Sequence, residues 1–206
     1  MRRKRRALSA AGIDTVTEGR RRMRATGIVR RIDELGRVVI PKEIRRTLRI
    51  REGAPLEIYT DNDGEVVLKK YSPIGEISAV AQDYSDSLYR TLGLITLVCD
   101  RDQIVSCAGV SRKEMVEKPL SPEVEQILEE RKSAMYNAAS GGRMIPVHAE
   151  DAPNQYTAQL VVPILSDGEI IGGILLLSKD NGAQMTDVEQ KVAETTAQII
   201  GRQMEQ

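Results

Sequence analysis

The stretch from Thr26 to Tyr71 limits the folds open to this chain more than any other segment. Short runs of β-branched residues alternate in it with two turn signals and one short basic segment. β-Branched side chains favour strands, because they pack well on the pleated, half-buried surface of a sheet. The stretch therefore predicts four short strands and one short helix in a unit of about 45 residues.

The first half of the stretch is predicted to be a hairpin that leads into a helix. Its turn is Asp33-Glu34-Leu35-Gly36, in which Gly36 can adopt the positive φ that a tight turn requires. Pro41 lacks a backbone N–H and has a fixed φ, so it ends a strand and fits the first position of a helix. Ile44 and Leu48 lie four residues apart on one face of that helix. The apolar residues of the two predicted strands are Ile28, Val29, Ile32, Val38, Val39 and Ile40.

The second half is predicted to be another hairpin. Its turn is Asp61-Asn62-Asp63-Gly64, a composition typical of tight turns between strands. The flanking strands carry Leu56, Ile58, Val66 and Leu68. A unit this small has too little apolar surface to fold securely alone, so an interleaved second copy would supply the missing core.

The words G-I-V-R-R-I-D-E-L-G-R-V-V-I-P-K-E-I-R-R-T-L and L-E-I-Y run through this unit. On these words, residues 23–72 resemble the swapped-hairpin DNA-binding domain of AbrB-like transition-state regulators. The resemblance implies that two chains interleave into one β-barrel, and that the dimer presents arginines to double-stranded DNA. The positions that match the DNA-contacting arginines of that family are Arg30, Arg37, Arg45 and Arg46, with Arg31 and Lys42 as adjacent basic positions.

These basic residues have two interpretations. Guanidinium groups pair bidentately with phosphates and with guanine edges in the major groove, which is the chemistry of a DNA contact. The alternative is a solvated face on which the arginines pair with Asp33, Glu34 and Glu43.

The charge is divided unevenly along the chain, although the net charge is zero. Residues 1–22 hold 8 basic and 2 acidic side chains, residues 23–72 hold 11 and 8, and residues 73–206 hold 11 and 20. An excess of basic side chains in residues 1–72 is typical of a chain whose N-terminal part binds a polyanion. We expect residues 1–22 to lack fixed structure. They are either a basic arm that adds non-specific DNA affinity or the product of an upstream start assigned to the gene, because Met23 begins the family-like segment.

Membrane and disulfide-rich classes are not favoured. No apolar run approaches the ~20 residues that span a bilayer, and no secretory signal pattern is present. Cys99 and Cys107 do not make a disulfide framework and fit a reducing compartment. We therefore expect a cytoplasmic protein with no membrane partner.

Ser72-Pro73 is the predicted boundary of a second domain, residues 73–206. A helix is predicted from Ile74 to Leu92, and Gly93 ends it as a C-cap glycine. Its apolar stripe either covers the sheet of its own domain or pairs with the same helix of another chain. The stripe consists of Ile74, Ile77, Ala81, Tyr84, Leu88 and Leu92.

Strands are predicted at Leu94–Asp100 and Gln103–Ala108, and a hairpin at Thr157–Ile164 and Glu169–Leu177. Two further helices have start signals. Ser121-Pro122 begins one whose buried face is Val124, Ile127 and Leu128. The capping box of Thr186 and Glu189 begins the last helix. This helix is predicted to run through Val188, Val192, Thr195, Ile199 and Gln203.

This order of elements, with the phrase V-V-P-I-L-S-D-G-E-I-I-G-G-I-L-L-L-S, resembles a GAF domain. The resemblance implies an α+β sensory fold in which a central antiparallel sheet and flanking helices bind a small molecule. No signature for a cyclic nucleotide, haem or bilin is present, so no cofactor is predicted and any effector is unidentified. The expected walls of an effector site are Asn137–Asn154 and Leu94–Ala108. A scaffold that only assembles the chains is the alternative.

The two parts in this order resemble a family of two-domain transcription regulators from endospore-forming bacteria. That resemblance implies a homotetramer in which two swapped dimers join through helices of the sensory domains, here Ile74–Leu92 and Thr186–Gln203. It also implies activation and repression of sporulation genes at the nucleoid of the forespore.

Other functions are less favoured. His148 lies in a polar loop without an orienting partner that the sequence can name, and two cysteines with one histidine make no zinc set. Cys99 is in an apolar run typical of an inert thiol, and Gly172-Gly173 indicates a bulge or close packing. We therefore expect no enzyme.

Two non-catalytic alternatives to a DNA-binding regulator are an antitoxin and an oligomerisation scaffold. Antitoxins share the swapped hairpin but follow it with a short disordered tail, whereas here a long patterned segment follows. An oligomerisation scaffold would lack salt-dependent DNA affinity.

Overall fold

The computed structural model describes residues 26–61, 64–76, 78–152 and 155–205. The predicted basic arm, residues 1–22, lies outside the described residues. The chain forms two compact units, of which the first ends at Lys42 and the second begins at Glu43.

The first unit contains the predicted tight turn. The N–H of Gly36 donates to the carbonyl of Asp33 over 2.9 Å, and the N–H of Asp33 donates to the carbonyl of Arg37 over 3.1 Å. Gly36 has a φ of 77°, as predicted. The strands predicted on both sides of this turn are wrong for the single chain. A strand needs a ladder partner, and the described residues supply none beyond the turn.

Helix α1 (Lys42–Thr47) begins directly after Pro41, one residue later than predicted. The N–H of Ile50 donates to the carbonyl of Arg45 over 2.7 Å and so closes the end of the helix. Arg49 has a φ of 51°, in the left-handed region that often terminates a helix.

Strands β1 (Leu56–Thr60) and β2 (Val66–Lys70) form the second predicted hairpin, with Ile58 opposite Leu68. Its turn is held by Asp61, whose Oδ1 accepts the N–H of Glu65 over 2.8 Å. Ile58 and Leu68 are nevertheless exposed, since a two-stranded hairpin has no core of its own.

A five-stranded antiparallel sheet organises the rest of the second unit. Its strands are β3 (Ile95–Cys99), β4 (Ile104–Ala108), β5 (Ala134–Asn137), β6 (Ala158–Ser166) and β7 (Glu169–Ser178). Their order in the sheet is β4-β3-β7-β6-β5. The β6–β7 hairpin turns at Asp167 and Gly168, which have φ values of 49° and 76°. Two left-handed residues are what a type I′ turn requires, so the predicted hairpin is confirmed.

Helices pack on both faces of this sheet. These helices are α2 (Pro73–Glu76), α3 (Ser78–Leu92), α4 (Arg112–Met115), α5 (Pro122–Glu129) and α6 (Asp187–Gln203), with a 3-10 turn at Ala138–Ser140. Neighbouring strand residues point to opposite faces, so Val98 and Leu160 meet α3 and α6, whereas Leu97 and Val161 meet α5.

The helix predicted from Ile74 to Leu92 is present as α2 and α3. Ile74, Ala81 and Leu88 are buried in the layer that covers the sheet. The apolar stripe therefore packs inside its own domain, which was the first of its two interpretations.

Helix boundaries in this domain follow the local signals. Gly93 has a φ of 67° directly after α3. The side chain of Ser121 accepts the N–H of Val124 over 3.2 Å at the start of α5. At the start of α6, the N–H of Thr186 donates to Glu189 Oε2 over 2.8 Å, and the capping box is complete.

The last predicted helix is present as α6, and two residues of the predicted run lie on its solvent side. Val188 and Ile199 of that run are exposed. Small residues let the helix lie directly on β6, because a Cβ added at Gly201 would be 2.0 Å from the carbonyl oxygen of Leu165. The buried residues of α6 are Ala193, Ala197, Ile200 and Gly201.

Gly172 confirms the predicted close packing in β7. A Cβ added there would lie 2.0 Å from the carbonyl oxygen of Cys99 and 2.6 Å from Ile74 Cδ1. Glycine in this strand is required by the approach of a neighbouring backbone rather than by a phosphate.

Candidate nucleic-acid interface

A groove beside α1 gathers basic side chains in the second unit. Its volume is about 320 Å³. Two of the predicted DNA-contacting residues, Arg45 and Arg46, line it. The other lining residues are Arg49, Ile50, Arg51, Asp102, Pro122 and Glu125.

The chain after α1 places two further arginines in this groove. Arg49 Nη1 donates to the carbonyl of Leu120 over 3.4 Å and lies 3.3 Å from Glu125 Oε1. Arg51 Nη2 lies 2.8 Å from Glu125 Oε2, and its Nη1 pairs with Glu129. The sequence did not predict these ion pairs, because the partners are more than 70 residues apart.

The predicted basic positions differ in their surroundings. Arg37 Nε lies 2.7 Å from Asp33 Oδ2, so one pair of the solvated-face interpretation does form. Hydrogen bonds from the backbone N–H and then from the side chain of Arg37 lower the pKa of the Asp33 carboxyl. Within the described ranges, no ion pair engages the other predicted positions, which are Arg30, Arg31, Lys42, Arg45 and Arg46.

A second charged contact lies near the groove. Lys70 Nζ at the end of β2 lies 2.9 Å from Asp102 Oδ2. Ser72 Oγ donates to Asp100 Oδ2 over 2.9 Å, and Asp100 Oδ1 accepts the N–H groups of Asp102 and Gln103 over 2.8 Å each. The turn between β3 and β4 is therefore tied to the segment that follows β2.

His148 has an orienting partner that the sequence did not reveal. Its Nε2 lies 2.9 Å from Asp151 Oδ1, and its Nδ1 accepts the N–H of Glu150 over 3.2 Å. Both side chains of the pair are buried, and Asp151 Oδ2 accepts the N–H of Val147 over 2.7 Å. The pair thus fixes the backbone of the loop that was expected to form one wall of an effector site.

Neither the two cysteines nor the described helices indicate a further binding site. Cys99 is buried, and its Sγ lies 3.4 Å from the carbonyl oxygen of Gly173. Burial raises the pKa of the Cys99 thiol and of the Cys107 thiol. In the residues the structure describes, no cluster of three metal-ligating side chains occurs. Nor does any described helix have the length and apolar character needed to cross a bilayer.

Two family models match adjacent parts of the chain. Residues 29–76 match the model described as antidote-toxin recognition MazE, a bacterial antitoxin. Residues 76–205 match the model described as stage V sporulation protein T C-terminal, transcription factor. The transition state regulatory protein AbrB of Bacillus subtilis (strain 168) is 47% identical over 85 residues, which cover 41% of this chain and 88% of that protein.

Solved structures show the fold of the second part. The GAF domain of an Acinetobacter phosphoenolpyruvate-protein phosphotransferase aligns with a TM-score of 0.53 at 11% identity, covering 66% of this chain and 84% of that one. The GAF-B domain of DevS from Mycobacterium smegmatis aligns with a TM-score of 0.51 at 14% identity, covering 62% of this chain and 92% of that one.

An AbrB-like domain followed by a GAF-like domain defines a class of two-domain transcription factor. Stage V sporulation protein T of Bacillus subtilis (strain 168) is 50% identical over 184 residues, which cover 89% of this chain and all of that protein. The chain belongs to the stage V sporulation protein T family.

Proposed function

We propose that the chain regulates sporulation genes by binding double-stranded DNA as an interleaved dimer. One observation carries the proposal: the AbrB-like part leaves its apolar side chains in water. Val29 is 88% exposed and Val39 is 71% exposed. An apolar surface of this kind marks an interface, and a second copy offers the complementary surface. The other exposed apolar residues are Ile28, Ile32, Leu35, Val38, Leu48, Ile58, Val66 and Leu68.

The DNA contacts come from the arginines beside this interface. Arg30, Arg37, Arg45 and Arg46 are the main contacts in the proposal, with Arg31 and Lys42 as secondary ones. A guanidinium group that has no carboxylate partner is available to a phosphate oxygen. Arg37 is held by Asp33, which fixes its direction beside the turn. Most of the affinity for DNA is expected from contacts with phosphates. Contacts with base edges are expected to be few, and binding is expected to depend in part on the shape of the DNA.

The GAF-like domain, residues 73–206, joins two such dimers into a tetramer. The apolar stripe of α3 packs inside the domain, and in this proposal the junction forms through α6. Val188 is 63% exposed on α6, and Ile199 is exposed as well. Two apolar residues on the solvent side of a helix favour a contact with the same helix of another chain.

Family membership supports the proposed cellular role. The proposal places the chain at the nucleoid in the cytoplasm of the forespore, where it activates some genes and represses others without catalysing a reaction. An unidentified small molecule or partner at the GAF-like domain biases how the two DNA-binding dimers are held. Such control requires different ligand affinities in two arrangements. The folded domain after residue 72 argues against an antitoxin, although residues 29–76 match an antitoxin model.

DNA binding by the full chain tests this function. Affinity for promoter DNA is measured by fluorescence anisotropy at low salt for the wild type and for Arg45→Ala with Arg46→Ala. The control replaces two exposed basic residues of the GAF-like domain outside α6, Lys113→Ala with Lys132→Ala. We expect weaker binding only from the α1 variant, by roughly tenfold or more for two lost phosphate contacts. A folded wild type without DNA affinity would contradict the proposal.

A further inference from the structure

Glu125 of α5 joins the two arginines that follow α1. Its two carboxylate oxygens lie 3.3 Å from Arg49 Nη1 and 2.8 Å from Arg51 Nη2. The Glu125 side chain is only 20% exposed, so water screens these contacts less than it screens an ordinary surface pair. Arg51 also pairs with Glu129, one turn further along α5. A single carboxylate thus engages two guanidinium groups.

Arg49 lies where α1 ends, and its side chain contacts this carboxylate. Its φ of 51° lies in the left-handed region, which residues with a Cβ rarely adopt. Such a conformation persists where surrounding contacts determine it. Here those contacts are the hydrogen bonds that end α1, from the N–H of Ile50 to the carbonyl of Arg45 over 2.7 Å and from the N–H of Arg49 to the carbonyl of Arg46 over 3.2 Å. The Arg49 side chain then reaches Glu125 and the carbonyl of Leu120, which lies 3.4 Å from Nη1.

The same groove contains two of the proposed DNA contacts. Arg45 and Arg46 line it together with Arg49 and Arg51. Carboxylates and phosphates bind guanidinium groups through the same fork of N–H donors, so they compete for them. While Glu125 engages Arg49 and Arg51, these two cations are not available to DNA.

We propose that Glu125 is a carboxylate latch that withholds Arg49 and Arg51 from DNA and lowers the affinity of the α1 surface. The proposal rests on the proposed DNA-binding function and adds the element that regulates it. Helix α5 packs on the sheet through Val124, Ile127 and Leu128. A shift of α5 on the sheet would therefore move Glu125 away from the arginines and expose them.

The test compares Glu125→Gln with Glu123→Gln in the full chain. Both variants remove one negative charge from α5. Glu123 serves as the control because it is exposed on the same helix and, among the described residues, forms no ion pair. We expect Glu125→Gln to bind promoter DNA roughly fivefold more tightly. The plot of log affinity against log salt should also steepen by about 0.9 for each arginine released to a phosphate. Glu123→Gln should match the wild type in this slope.

A second variant separates the latch from a general effect on folding. Arg49→Ala removes one partner of Glu125, so Arg49→Ala with Glu125→Gln should gain less than Glu125→Gln gains in the wild-type background. Equal gains in both backgrounds, or equal slopes for Glu125→Gln and Glu123→Gln, would overturn the latch. If the wild type shows no DNA affinity, the proposed function fails with it. If Arg45→Ala with Arg46→Ala weakens binding but Glu125→Gln leaves both the affinity and the salt slope unchanged, the function stands and the latch is wrong.

Discussion

Gly201 of α6 lies so close to the backbone of Leu165 in β6 that a Cβ on Gly201 would be 2.0 Å from the Leu165 carbonyl oxygen. Backbone cannot yield as a flexible side chain can, so a larger residue would push the helix off the sheet. This contact explains why α6 turns its small residues to the sheet and leaves Val188 and Ile199 in water.

Gly201→Ala should therefore destabilise the domain, although glycine to alanine within a helix normally stabilises by about 1 kcal/mol. We expect a loss of about 1–3 kcal/mol in the free energy of unfolding, measured by urea denaturation. Gln198→Ala, at an exposed position of the same helix, should stay within about 0.5 kcal/mol of the wild type. A Gly201→Ala protein at least as stable as the wild type would show that α6 does not approach β6 this closely.

Asp100 should make stability depend on pH. Burial raises the pKa of its carboxyl above the ordinary value of 3.8, and the hydrogen bonds from Asp102, Gln103 and Ser72 only partly offset this. Since the folded state holds the proton more tightly, this group stabilises the fold less as pH rises from 3.8 through the raised pKa.

Asp100→Asn should remove this dependence. The amide oxygen can still accept the two backbone N–H groups, and the amide nitrogen can donate to Ser72 Oγ. Between about pH 4 and pH 7 the melting temperature of the wild type should fall relative to that of Asp100→Asn. The control is Asp83→Asn at an exposed position of α3, which should follow the wild type. Parallel curves for the wild type and Asp100→Asn would refute the prediction.

Ile199→Glu should separate the proposed tetramer into dimers. A charge in a helix–helix contact is costly because it loses water without gaining a partner. Light scattering should give half the mass of the wild type, whereas Gln198→Glu, which adds the same charge beside it, should keep the full mass. An unchanged mass for Ile199→Glu would exclude α6 as the junction.

The sequence predicted those parts of the structure that depend on local chemistry. Gly93, Ser121 and Thr186 confirm helix boundaries that a few neighbouring residues determine. The order of strands and helices after residue 73 was also predictable, because its hydrophobic periods and turn signals are local.

The parts that the sequence missed depend on distant contacts. The face that α6 turns to the sheet was not predicted, because close approach to Leu165 favours Gly201 and alanines over larger apolar residues. The ion pairs of Glu125 join segments more than 70 residues apart, and no local sequence pattern predicts such pairs. The missing strands on both sides of Gly36 have a different cause in the proposed interleaved dimer, in which a second chain supplies the pairing partners.

The interleaved dimer is the central claim, and hydrogen exchange of the free protein tests it most directly. Among the described residues, the N–H groups of Val38, Val39 and Ile40 have no hydrogen-bond acceptor in the single chain. If a second chain pairs with this segment, these amides should exchange at least a hundredfold more slowly than unprotected ones, since their opening then costs roughly 3 kcal/mol or more. Exchange at the rate of an unstructured peptide would contradict the interleaved dimer.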